Sequence, residues 1–256
     1  MTDRIAAAFA SHGRRAALMP YLMGGFPDLD TSLAVGEACA DAGADLIELG
    51  IPFSDPLADG PVIHAAATDA LAAGATLQGV LRVCEALSPR LPVVLMVYAN
   101  AIVSRGAEAF ADFAAAAGAA GMIVPDLPHD ESGELRAACD ERGLALVALA
   151  APNTPPDRLA AIGADARGFV YTVSLTGTTG ERSRLPAELG DTVARVKAAT
   201  TVPVAVGFGI STSEQAGMVA DIADGVIVGS RIVRAAGERG PDGVREVVAE
   251  LADAIA

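Results

Sequence analysis

Two acidic residues stand where proton-transfer chemistry could be done. Glu48 lies inside an apolar run, between Ile47 and Leu49, and Asp59 follows in a loop punctuated by proline and glycine (residues 45–61, DLIELGIPFSDPLADGP). Successive side chains of a strand point to opposite faces, so if Ile47 and Leu49 turn toward packing helices, Glu48 turns away from them into the interior. A carboxyl held there has a raised pKa and can exchange protons near neutrality. On position alone the alternatives are a strand-end glutamate paired with an arginine and, for Asp59 and Asp55, ordinary cap or turn residues.

Two further sets of residues could hold a substrate. Glycine-rich turns occur at residues 175–180 (LTGTTG), 207–211 (GFGIS) and Gly229–Ser230. Glycine lets backbone N–H groups approach an anion closely, and the segment beginning at Ser230 adds a helix N-terminus and a hydroxyl. Simple turn chemistry is the alternative. Only three tyrosines exist, Tyr21, Tyr98 and Tyr171, each at or near the end of an apolar run. With Phe208 they could wall a site for a flat ring, or merely fill a core.

The elements that must position these groups are legible as a repeat. Apolar runs at 18–23, 46–49, 93–97, 122–124, 144–148, 169–173, 204–206 and 226–228 do not alternate with polar residues, as suits strands buried on both faces of a parallel sheet. Helical patterns lie between them, for example at 31–42, 106–117, 132–142, 191–199 and 212–220. Thr31, Asp191 and Ser211 or Ser213 are placed to cap them. The segments AGADLIELG, AGAAGMIVPD, GADARGFVYTVS and IADGVIVGS echo one another. Strand–helix alternation repeated eight times predicts a single α/β domain over residues 1–256, a (β/α)8 TIM barrel with an extra N-terminal helix and a short phosphate-binding helix after strand 8. An open doubly wound sheet is the alternative. The longest loops, 51–63 and 174–190, then fall at the carboxyl ends of strands, where such barrels carry function.

Composition narrows the chemistry. The 256 residues carry a formal net charge of −14, which makes nucleic acid and anionic membranes poor partners. Mean hydropathy is +0.42, with alanine supplying much of it. No uncharged apolar run reaches the about 18 residues of a spanning helix, and the first residues lack a signal-peptide centre. The expected location is cytoplasmic. Cys39, Cys84 and Cys139 are odd in number, lack CxxC spacing and sit in helical segments, so they read as buried thiols in a reducing compartment. Lys197 is the sole lysine and falls on an outer helix, which argues against a Schiff base. His12, His64 and His129 are scattered, so no metal site is expected, and no nucleotide-binding glycine motif or P-loop lysine occurs. What remains is cofactor-free acid–base work by carboxylates.

The segments ELGIPFSDPLADGP, Tyr171 followed by SLTGTTG, GFGIS and the late VGS together resemble the tryptophan synthase alpha chain family along nearly the whole length. The resemblance implies retro-aldol cleavage of indole-3-glycerol phosphate to indole and glyceraldehyde 3-phosphate. It places Glu48 and Asp59 in catalytic positions and Tyr171 beside them. Gly180, Gly209, Gly229 and Ser230 match phosphate-binding positions, and Tyr21 and Phe208 match the ring pocket. It further implies a pyridoxal-phosphate beta chain as partner in an alpha2-beta2 complex. Loops 52–61 and 176–184 then serve as contacts and lids, with Pro52 and Asp55 touching the partner. Met23–Gly24, Leu175 and the absence of a proline after Asn100 depart from the family's usual residues. Three other readings are a stand-alone lyase releasing free indole, a phosphate-sugar isomerase or epimerase, and a non-catalytic barrel acting as an allosteric partner. The lack of lysine and histidine equipment argues against the isomerase.

Overall fold

A computed structural model describes residues 3–173, 185–207 and 209–256. Eight parallel strands close into a barrel in chain order: β1 (Ala17–Met23), β2 (Ile47–Gly50), β3 (Val93–Met96), β4 (Gly121–Ile123), β5 (Ala145–Ala150), β6 (Val170–Val173), β7 (Val204–Gly207) and β8 (Gly225–Val228). β8 pairs with β1 to complete the ring. The first helix, α1 (Arg4–Ser11), precedes β1. Between strands lie α2 (Leu29–Asp41), α3 (Pro61–Ala72), α4 (Leu77–Leu87), α5 (Ala99–Val103), α6 (Ala107–Ala116), α7 (Gly133–Glu141), α8 (Pro156–Asp165), α9 (Leu189–Ala199) and α10 (Ser213–Ala220), and α11 (Ser230–Ala254) follows β8. All eight apolar runs became strands, with ends moved by a residue or two. Residues 174–184 and Phe208, including Leu175, Gly180 and the 176–184 loop, lie outside the described residues.

Strand parity divides the core into two layers. Ile47, Leu49, Val93, Leu95, Val204 and Val206 pack outward against the helices. Met19, Leu46, Val94, Ile123, Val147 and Ala205 fill the barrel interior. α1 closes the lower end: Asp3 accepts the N–H groups of Ile5 and Ala6, and this cap aims Ile5 into the interior layer. Phe9 meets Phe169 at 5.7 Å between ring centroids.

Two of the four echoing segments share a physical basis. Asp45 and Asp224, each just ahead of a strand, use Oδ2 to accept the N–H of Leu18 and of Val204, both at 2.8 Å. Each carboxylate is also ion-paired, Asp45 with Arg14 and Asp224 with Lys197. Lys197 is thereby held on α9, outside the barrel.

Three expectations need correction. Asp28, not Thr31, caps α2, because its Oδ1 accepts the Thr31 N–H at 2.8 Å. α9 begins at Leu189, so Asp191 lies in its first turn. Thr212 caps α10 in a reciprocal box with Gln215, which displaces Ser211 and Ser213 from that role. The span α11 (Ser230–Ala254) is two helices joined across a kink at Gly240 (φ 61°), just before Pro241, so the expected short helix does follow β8. The three cysteines are buried and free. Among the described residues no single helix is long and apolar enough to cross a membrane.

Ala148 is the one helix-facing residue among the described strand positions that is not buried. It borders a cavity of about 90 Å³ between β5, α7 and α8, lined also by Leu127, Leu146 and Ile162. His129 and Arg136 stand at its rim and both reach Asp165, at 3.4 and 2.9 Å. Ala148→Val should fill part of this space and stabilise the chain by about 0.5–2 kcal/mol, about 2–4 °C in Tm per kcal/mol. Calorimetry checks this, and a lowered Tm would show the surrounding packing already closed.

Candidate active site

The carboxylates meet at the carboxyl end of the barrel. On β2, Glu48 pairs in register with Tyr21 of β1 and Val94 of β3, and its parity turns it inward. It is 1% exposed, and neither carboxyl oxygen has a hydrogen-bond partner among the described residues. A buried, unpaired carboxyl resists ionisation. Burial first, and the charge of Asp59 second, push the Glu48 pKa up to about 8. Glu48 therefore carries its proton at neutral pH and is equipped to donate it.

Asp59 arrives on the loop between β2 and α3. Gly60 and Pro61 start α3 immediately after it, so the helix fixes the loop's far end. The Asp59 pKa is raised: burial outweighs the nearby Tyr98 hydroxyl and the charge of His64 on α3, which both pull it down. The two carboxyls thus differ in environment, one sealed in the strand layer and one beside polar groups, the kind of difference that sets the proton affinities of two neighbouring carboxyls apart. Tyr98 also accepts the Ala58 N–H at 3.1 Å and stacks on Phe53 at 5.3 Å.

Tyr21 and Tyr171 are buried around the same centre. Their hydroxyls are kept protonated by burial, reinforced at Tyr21 by Asp59 and Glu48 and at Tyr171 by Glu48. Each ring needs a glycine beside it: a Cβ on Gly50 would overlap the Tyr21 hydroxyl, and one on Gly207 would overlap that of Tyr171. Sequence reading took Gly207 for part of an anion-binding turn and gave Gly50 no role. Its signal was the glycine ending each apolar run, opposite a tyrosine.

The cavity between these groups is completed by Ile63, Met96, Pro125, Gly209, Gly229 and Ser230. Gly209 has φ 86°, a conformation that favours glycine. Gly229 differs, since a Cβ there would make only ordinary contacts with Ile63 and Tyr21. Glycine at 229 is therefore unforced by the protein's own packing and leaves room above the first N–H groups of α11, where Ser230 is buried at the cavity wall. Pro52 is half-buried and Asp55 exposed on the β2–α3 loop. Sequence reading passed over Leu57 on the same loop, which is 78% exposed, although a leucine in so polar a loop was a signal. Among the described residues no group of three or more His, Cys, Asp or Glu could hold a metal ion.

A proton-bearing glutamate and a polar-served aspartate over one cavity, at the loop-bearing mouth of a closed (β/α)8 barrel, define an acid–base enzyme of that barrel class. The tryptophan synthase alpha chain family model matches residues 8–255. The alpha chain of Synechococcus elongatus is 50% identical over 252 residues, covering 97% of this chain and 94% of that one. The solved tryptophan synthase of Mycobacterium tuberculosis superimposes with a TM-score of 0.92 at 42% identity, covering 98% of both chains. That of the a2b2 complex from Pyrococcus furiosus does so at 0.85 and 40%, covering 93% of this chain and 98% of that one. The chain belongs to the tryptophan synthase alpha chain family and is a lyase subunit of tryptophan biosynthesis.

Two outcomes follow from the geometry. Glu48 titrates at about 4.5 when unfolded and about 8 when folded. Between those values the unfolded chain has released a proton that the folded chain keeps, so stability falls by about 1.4 kcal/mol per pH unit as pH rises. Urea denaturation at pH 5 and 8 should show Glu48→Gln losing less stability than the parent over this interval; equal losses would contradict the shift. Gly50→Ala should cost about 1–3 kcal/mol through displacement of Tyr21, and adding Tyr21→Phe should recover part of it, as thermal melts of the parent and the two variants will show.

Proposed function

We propose that the chain cleaves indole-3-glycerol phosphate to indole and glyceraldehyde 3-phosphate with Glu48 and Asp59. The observation that carries this reading is the Glu48 carboxyl, partnerless among the described residues and protonated at neutral pH beside a second carboxylate. To break the bond at indole C3, that carbon must first be protonated. Glu48 donates the proton, and the ring nitrogen becomes cationic. Asp59 stays ionised and stabilises the charge growing at the ring N–H. The Glu48 carboxylate then accepts the proton of the side-chain hydroxyl, the carbon–carbon bond breaks, and its electrons return to the ring. Indole and the aldehyde leave, and Glu48 again holds its proton.

In this reading Tyr21, Tyr171 and Phe208 enclose the indole ring. Backbone groups at Gly180, Gly209 and Gly229, with Ser230 and the α11 N-terminus, hold the phosphate. The chain works as one domain over residues 1–256, in the cytoplasm, with a pyridoxal-phosphate beta chain in an alpha2-beta2 complex. The a2b2 assembly of the Pyrococcus furiosus relative and the exposed Leu57 beside Pro52 and Asp55 support that partner. The alpha chain needs no cofactor of its own for this chemistry.

Glu48→Gln and Asp59→Asn should each slow indole release by about 10²–10⁴-fold while substrate still binds. Colorimetric indole assay with calorimetric binding checks both, and a near-parental rate in either variant would refute its role.

A further inference from the structure

Tyr98 lies on no part of the cavity wall, yet it touches the loop that carries Asp59 at three places. It follows β3 directly and caps α5 from a nearly sealed position, so its own placement is set by the barrel. The backbone behind it is tied as well, because Asp126, after β4, accepts the Ala99 N–H at 2.8 Å. From this anchored base the Tyr98 ring stacks on Phe53, with planes 26° apart. The hydroxyl accepts the Ala58 N–H at 3.1 Å and lies beside the Asp59 carboxyl. Phe53, Ala58 and Asp59 all belong to the segment joining β2 to α3.

We propose that Tyr98 is a positioning residue that presets both the place and the ionised state of Asp59, so that the β2–α3 loop is organised from within the barrel. The inference rests on the lyase reading only for its kinetic consequence. One hydroxyl does two jobs: as acceptor it fixes the peptide before Asp59, and as donor it favours the carboxylate over the carboxyl. Among the described residues the other titratable groups around Asp59 are Glu48 on β2, Tyr21 on β1 and His64 on α3, with Asp126 behind Tyr98. Of these only His64 shares with Tyr98 the sign that favours the anion.

The test is Tyr98→Phe in the full chain, which keeps the stacked ring and removes the hydroxyl. Carbon-13 titration of the Asp59 carboxyl should show its midpoint rising by about one pH unit. The acidic limb of the kcat profile should move up in pH with it, since fewer molecules hold ionised Asp59 there. At neutral pH kcat should fall about tenfold with KM within about twofold. An unchanged Asp59 midpoint overturns the proposal. If the variant does not fold, the parent chain still decides. Its labelled Tyr98 ring carbon bearing the hydroxyl should follow the Asp59 titration, a response absent in Asp59→Asn, and no such response overturns the proposal. If the parent releases no indole, the lyase reading fails while both titrations still judge Tyr98.

Discussion

The structure is organised around one unfavourable burial. A carboxyl in the interior layer of a closed sheet, with no partner for either oxygen among the described residues, cannot ionise in its ordinary range and keeps its proton at neutral pH. Strand parity produces the burial: Ile47 and Leu49 take the outer layer and leave Glu48 no other direction. Closure keeps it buried, because every neighbouring strand presents apolar or tyrosine side chains to the same space.

The remaining groups are arranged by strand order. β7 and β8 bring Gly209, Gly229 and the α11 N-terminus, β1 brings Tyr21, β2 brings Glu48, and β3 is followed by Tyr98, which holds Asp59. In the proposed reading an anion-binding end, a ring wall, a proton donor and a charged stabiliser thus occupy consecutive positions around the mouth. Tyr171 on β6 faces them and is accommodated by Gly207 on β7, as Tyr21 is by Gly50 on β2. Each tyrosine fits because the adjacent strand ends in a residue without a side chain.

Much of this was legible in the sequence, for identifiable reasons. Strands buried on both faces make continuous apolar runs, and all eight runs formed strands. Glu48 stood out because a carboxylate interrupting such a run has to be explained. Local competition misled the helix starts: Asp28 outbids Thr31 with a carboxylate that reaches two donors of Thr31, and Thr212 has Gln215 at the reciprocal position. α11 continues past Gly240 because the chain resumes the helix at Pro241, whose ring is tolerated in a first turn. The roles of Gly50 and Gly207 showed only as a glycine ending an apolar run, and that of Tyr98 depends on contacts with a loop some 40 residues away that no spacing rule exposes.

The central claim is that Glu48 is a neutral acid in the folded chain at physiological pH. Difference infrared spectroscopy of the parent against Glu48→Gln reads this directly through the carbonyl stretch of a protonated carboxyl. The account predicts a band assigned to Glu48 at pH 7 that disappears with a midpoint of about 8. A band already lost in the usual carboxylate range, with a midpoint near 4.5, would contradict it.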